Sequence, residues 1–104
     1  MGLAQQPSGI GTGATTLYTS TGTTTTTAVY FMNDHTSTVT LQIHLVINGG
    51  TLSTNNKIIK DLELASGDTY VLDVERLVLG NGDSIQATAD VAGVVYTTVS
   101  FMGI

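Results

Sequence analysis

The sequence has no cysteine, no tryptophan and a single proline, Pro7, in 104 residues. Without cysteine no disulfide can brace the fold and no thiolate can hold a metal. The same absence fits a reducing compartment, and fits equally a particle assembled in one and released later. Charge is scarce as well. Charged residues make up 11% of the chain, against about 25% in an ordinary domain. Only Lys57, Lys60 and Arg76 are basic, and the formal net charge is −5. Nucleic-acid binding draws its affinity from Lys and Arg that neutralise phosphates, and an anionic membrane surface is held by the same residues. Neither partner is expected. Long apolar runs are also missing: nothing approaches the ~20 residues of a membrane span. No basic segment followed by an apolar one marks a signal peptide, so no leader is expected. Met1-Gly2 opens like a myristoylation site, but Gln6 stands where Ser or Thr is required. Asn-x-Ser/Thr acceptors are absent.

Threonine is what the chain has instead, as its commonest residue. A surface of Thr and Ser can face water. It can equally belong to a subunit covered by other proteins, because the cores of interfaces are depleted of charge. The length sets one domain with one modest core, burying roughly two-thirds of the surface of the unfolded chain.

Residues 1–13, MGLAQQPSGIGTG, combine Pro7 with closely spaced glycines and show no periodicity. They read as a flexible N-terminal arm outside a domain of residues 14–104, either a frayed terminus or a segment that lies along a neighbouring subunit. Leu17 and Tyr18 sit in a Thr-rich extended stretch. The run at 21–27, TGTTTTT, reads as a polar edge strand or a long turn, since β-branched Thr resists helix. Val29, Tyr30, Phe31 and Met32 suit a strand covered on both faces. At 38–47 the period of two is sustained: Val39, Leu41, Ile43, Leu45 and Ile47 against Thr38, Thr40, Gln42 and His44, the mark of a half-buried strand. With Asn33–Ser37 as a turn between them, these two strands read as a hairpin. Ile58, Leu62 and Leu64 alternate after the loop at 51–56. Residues 70–79 read as a strand, although Val71, Val74 and Val78 also fit one helix face. Ile85, Ala87, Ala89 and Val91 alternate after the turn Gly80-Asn81-Gly82-Asp83. Val95, Thr97, Val99 and Phe101 face opposite Val94, Tyr96, Thr98 and Ser100 in a last strand. About eight short strands with turns every 8 to 12 residues predict an all-β fold, an antiparallel β-sandwich of jelly-roll or immunoglobulin-like type.

No constellation for chemistry stands out. His35 falls in a turn and His44 on the polar face of a strand, and two histidines in different elements do not make a zinc site. The carboxylates Asp61 and Glu63 beside Lys60, and Asp73 and Glu75 beside Arg76, read as solvated strand faces rather than a glycosidase pair. Asp68 and Asp83 each supply one acidic side chain to a Gly-containing turn, too few for calcium. Gly9-Ile10-Gly11-Thr12-Gly13 lacks the strand and helix that flank a phosphate-binding loop. A nucleophilic triad has no signature: Ser and Thr abound, but no Gly-x-Ser-x-Gly elbow occurs. The expectation is therefore no enzyme, no catalytic residue, no metal and no cofactor. Of the aromatics Tyr18, Tyr30, Phe31, Tyr70, Tyr96 and Phe101, most are expected in the core, and any exposed tyrosine would be an interface anchor.

From residue 29 to 104 the chain resembles small virion proteins of tailed bacteriophages, including those of cyanophage type. The features that carry the resemblance are Tyr30-Phe31-Met32-Asn33 running into Thr38-Val39-Thr40-Leu41, and Asn56 to Leu64 followed by Ser66-Gly67-Asp68-Thr69. The segment Leu79 to Ala87 and the ending Val99-Ser100-Phe101-Met102-Gly103-Ile104 complete it. The resemblance implies a structural protein of the particle, located in the virion and assembled in the host cytoplasm. It would be a capsid cement or decoration protein, or a tail or fibre-adaptor component. Its partners would be the major capsid protein or tail proteins, and it would form a homo-oligomer, a trimer if it matches capsid three-fold positions. The resemblance transfers no functional residue. A carbohydrate-binding module is the alternative from another class; such modules present aromatic platforms, for which this chain has few residues.

Overall fold

A computed structural model of the chain describes residues 2–5, 8–73 and 76–103. Among them are nine strands: β1 Gly2–Gln5, β2 Thr15–Thr19, β3 Thr24–Asn33, β4 Val39–Val46, β5 Lys57–Leu64, β6 Thr69–Leu72, β7 Val78–Leu79, β8 Ser84–Ala89 and β9 Val95–Gly103. One short 3-10 turn, Thr54–Asn56, precedes β5. The strands form two antiparallel sheets. The first has the order β1-β9-β3-β6, with β7 also on β3, and the second has the order β2-β8-β4-β5.

That order has a simple logic. Leaving out the two-residue β7, the first strand pairs with the last, the second with the next to last, and so inward to β4 and β5. The chain is one long hairpin whose tip is the β4–β5 loop. It is rolled so that β9 also meets β3 and β8 also meets β4. This is the jelly-roll form of the sandwich, one of the two expected. Only β4 and β5 are neighbours both in sequence and in hydrogen bonding. The expected hairpin of residues 29–32 with 38–47 therefore does not form: β3 and β4 lie in opposite sheets, and residues 34–38 cross between them. Alternation tells which face of a strand is buried, but not which strand lies beside it.

Alternating side chains meet between the sheets. Val29 and Phe31 of β3, with Val95 and Val99 of β9, pack against Leu17 of β2, Val39, Leu41 and Ile43 of β4, and Ile85 and Ala87 of β8. Tyr18 and Phe101 bridge the two sheets as a stacked pair, ring centroids 4.5 Å apart. The inward phase expected for β8 is that observed, β9 buries the Val95, Thr97 and Val99 side of its alternation, and that of β4 holds for Val39, Leu41 and Ile43 but fails beyond the register shift at His44, where Val46 is buried and Ile47 is exposed.

Four expectations need correction. First, the segment read as an arm is built into the sandwich. β1 is an edge strand on β9, and Ile10 is fully buried in the core. The Ile10 amide donates to the Val95 carbonyl, and the Gly93 amide donates to that of Ile10. Gly9 lies so close to Gly93 that a Cβ there would fall 2.5 Å from its carbonyl carbon, so this glycine serves a close backbone approach. Met1, Gln6 and Pro7 lie outside the described residues.

Second, the threonine run is not an edge strand: residues 21–23 bend, and β3 begins at Thr24. Thr24, Thr25 and Thr26 are buried in the middle of the first sheet, between β9 and β7. Buried hydroxyls need partners. Thr24 Oγ1 meets Ser20 Oγ at 2.8 Å, and Thr26 Oγ1 accepts from the Leu77 amide at 3.1 Å. Third, Tyr30 and Met32 are not covered; they point out of the sandwich. Fourth, Ile59 rather than Ile58 packs towards the core. Three residues of β5 span two of β4 between the pairs Leu41–Leu62 and Ile43–Ile59. This bulge reverses the alternation. Asp61 sits in it with φ +55, a conformation Asp tolerates better than most residues. Its amide donates to Gln42 Oε1 and its Oδ1 accepts from Gln42 Nε2. Residues 70–79 divide into β6 and β7; Val74, on which the helical alternative partly rested, lies with Glu75 outside the described residues.

Each end of the sandwich is closed by a polar node. At one end Asn33, fully buried, donates through Nδ2 to the carbonyls of Ser37, Leu64 and Ala65 at 3.0, 2.9 and 3.2 Å. Its Oδ1 accepts from the His35 amide at 2.8 Å. At the other end Asp83 accepts from the amides of Gly80 and Asn48, and Gly82, with φ +85, leaves room for the Asn48 side chain.

Two outcomes are expected. Asn33→Ala strands the buried Leu64 carbonyl, the part-buried carbonyls of Ser37 and Ala65 and the His35 amide, and lowers stability by about 2–4 kcal/mol, read as a lower denaturant midpoint at unchanged slope. Ile10→Ala costs about 2–4 kcal/mol as a core cavity; a value near zero would restore the arm.

Candidate functional site

The residues considered for chemistry from sequence do not converge. His35 lies half-buried in the β3–β4 crossing and His44 in β4. His44 was expected on an exposed polar face, yet it is only 4% exposed. The β4–β5 loop turns back over the outer face of the second sheet and places Asn56 Oδ1 2.7 Å from His44 Nδ1. Asp61 and Glu63 are exposed on β5, with Asp61 engaged by Gln42. Asp73 is exposed and Glu75 lies outside the described residues. Asp68 occupies the tight turn at Gly67, where its amide donates to the Ala65 carbonyl. Both carboxylate oxygens of Asp83 are committed to backbone amides. Gly11 and Gly13 are bridged by Thr15 Oγ1, which accepts from the Gly11 amide and donates to the Gly13 carbonyl. Among the described residues no three of His, Asp and Glu gather where a metal could be held.

Two shallow crevices open at the end of the sandwich near the β4–β5 loop. One, of about 200 Å³, lies between Leu45, Ile47, Val78 and Leu79. The other, of about 340 Å³, lies between Ile47, Thr51, Ser53 and Asn56. Neither brings together a nucleophile, a base and a carboxylate. Thr97 Oγ1 is buried without a hydrogen-bond partner, but Thr97 stands opposite Phe31 on the inward face of the first sheet, inside the core.

The feature that does stand out is the outer face of that sheet. None of the strands β1, β3, β6, β7 and β9 contains a charged residue, whereas β5 of the second sheet carries Lys57, Lys60, Asp61 and Glu63. The remaining described charges sit in loops and turns. Besides Val78 of β7, four large apolar side chains are exposed on these charge-free strands: Leu3 at 69%, Tyr30 at 41%, Met32 at 37% and Tyr96 at 37%. Register makes them one surface. Tyr96 stands opposite Met32, Thr98 opposite Tyr30, and Ser100 opposite Ala28 on β3 and Leu3 on β1. Side-chain hydrogen bonds run across it, from Gln5 Nε2 to Thr98 Oγ1 and from Thr27 Oγ1 to Ser100 Oγ. The alternation in β9 had placed Tyr96, Thr98 and Ser100 together on one side, but the Val29–Met32 run masked the outward turn of Tyr30 and Met32. No signal within β1 announced that Leu3 would join them.

Comparison with known proteins finds no matching family model, no matching curated protein and no matching solved structure.

Because this surface lies outside the core, removing its aromatics should cost little. Tyr30→Ala and Tyr96→Ala are each expected to lower stability by about 1 kcal/mol or less, whereas Phe31→Ala, one residue along β3, costs about 3–5 kcal/mol. Thermal unfolding of the three variants side by side reads the difference.

Proposed function

We propose that this protein is a non-enzymatic structural protein of a tailed-phage virion, a capsid cement or decoration protein that stabilises the shell through protein–protein contacts. The observation that carries the reading is the charge-free sheet. A face that combines exposed Tyr, Met and Leu with Thr, Ser and Gln has the composition of an interface core, rich in aromatics and poor in charge. It offers nothing to a phosphate or a metal. The resemblance of residues 29–104 to small virion proteins gives the setting, and the rigid, loop-tied jelly roll suits a part that has to hold a fixed shape under load. The partner would be the major capsid protein. A tail or fibre-adaptor component would use the same fold and the same face against tail proteins, and copy number separates the two.

A carbohydrate-binding module is the second reading. The specific observation in its favour is that Tyr30 and Tyr96 are both partly exposed on one sheet face, near enough on adjacent strands to act as a small platform. A glycan array without a hit removes it.

The deciding measurement is the stoichiometry of the protein in purified particles, by quantitative mass spectrometry against the most abundant shell protein. A ratio near one to one is expected for a cement protein. A few per cent assigns a tail or vertex part, and absence from particles overturns the virion reading.

A further inference from the structure

We propose that the outer face of the β1-β9-β3-β6 sheet is covered by the same face of a second copy, so that the protein is a two-fold dimer with its first sheets packed against each other. This rests on the reading of the chain as an assembly subunit and names the first partner of that surface.

Charge selects the occupant. The chain carries a formal net charge of −5, and the described carboxylates outside β5 lie in loops and turns, so contacts through those loops would bring carboxylates of one copy towards those of the other. The strands of the first sheet hold no charge at all, and across them two copies meet without that repulsion. An acidic or basic partner finds no complement there, and neither does a phosphate-bearing one. What fits is another uncharged, partly apolar β-surface of the same size and twist, and an isologous pair supplies one by symmetry. Sheets of equal twist pack face to face about 10 Å apart with their strands near −30°.

Size sets the strength. The two long strands β3 and β9 present about 30 Å each and the four-residue β1 and β6 about 13 Å each, which at about 4.8 Å spacing gives roughly 430 Å² per copy. That is about 850 Å² for the pair, in the range of weak, transient contacts. The expected dimer is therefore weak, with a dissociation constant on the order of tens of micromolar, and would be consolidated by local concentration on a particle. The centre of the face is the Thr98–Tyr30 pair, with the Tyr96–Met32 and Ser100–Ala28 pairs on either side. A two-fold contact surface differs from the three-fold arrangement that matching to capsid symmetry would favour, because a trimer needs two different surfaces to meet.

The test is sedimentation of the purified full chain from about 5 μM to 1 mM, a range chosen to bracket the expected constant. It is run beside two glutamate variants at outward positions of opposite sheets. Thr98→Glu lies on the proposed face, and Thr88→Glu, opposite Gln42 on the second sheet, is the control. Both side chains are half-buried and outward, and matched melting curves verify that both variants fold. The expected result is a reversible monomer–dimer equilibrium, weakened at least tenfold by Thr98→Glu and unchanged by Thr88→Glu. Methyl resonances of Met32 and Ala28 should shift on dilution. A monomer throughout, a trimer mass, or a dimer weakened only by Thr88→Glu overturns the proposal. So does a monomer whose Met32 resonance shifts on adding a neutral oligosaccharide, which would give the face to a glycan. None of these outcomes alters the stoichiometry measured in particles, so the dimer and the virion reading fail separately.

Discussion

The fold turns on one amide side chain. Three connections cross between the sheets at the Asn33 end: β3 to β4, β5 to β6, and β8 to β9. Asn33 ties the first two by donating to Ser37 on one and to Leu64 and Ala65 on the other. Its own amide and carbonyl are met by Asp68 and Gly67, and the neighbouring Asp34 amide donates to Val94 on the third. A buried amide with every polar atom bonded fixes geometry more sharply than apolar contacts, which tolerate sliding. A rolled hairpin needs such a lock, because almost none of its strands is paired with its neighbour in sequence.

Much of the sandwich was legible in the residues, and the reasons for the failures are specific. β4, β8 and β9 announce themselves because each strand buries one face and the period of two survives in Val39 to Ile43, Ile85 to Ala89 and Val95 to Val99. β5 misled because a bulge at Asp61 shifts its phase, and a bulge has no strong mark in the sequence unless glycine supplies the unusual backbone. β3 misled twice. Its threonines are polar by type yet buried, with Ser20 and Tyr18 meeting the Thr24 hydroxyl and the Leu77 amide that of Thr26. Its Val29–Met32 run is apolar throughout yet buried on one side only. β1 and Ile10 were hidden because Gly9 and Gly11 also suit a flexible chain; what gives them order is the backbone at 89–95, far away in sequence.

The surface has the same lesson in electrostatic form. Counting charges gave a low total, and only the topology sorts them, gathering five charge-free strands into one sheet and the four charges of β5 into the other. The edges are sorted too. β5 is guarded by bulges, by Lys57 and Lys60, and by Asp61 and Glu63, devices that discourage another strand from adding on. β1 has none of them. The protein thus presents one edge defended against casual pairing and one broad face free of the charges that would keep neighbours apart.

The pairing of β1 with β9 also governs the order of events during synthesis. Gln5 and its partner Thr98 are 93 residues apart. At about 5–20 residues per second a ribosome takes roughly 5–20 s to make that stretch. Throughout it Leu3 and Ile10 have emerged with no strand to rest against, while the inner turns of the roll, β4 on β5, can already close. β1 therefore has no partner until β9 has been made, while the β4–β5 pair at the tip can form without either.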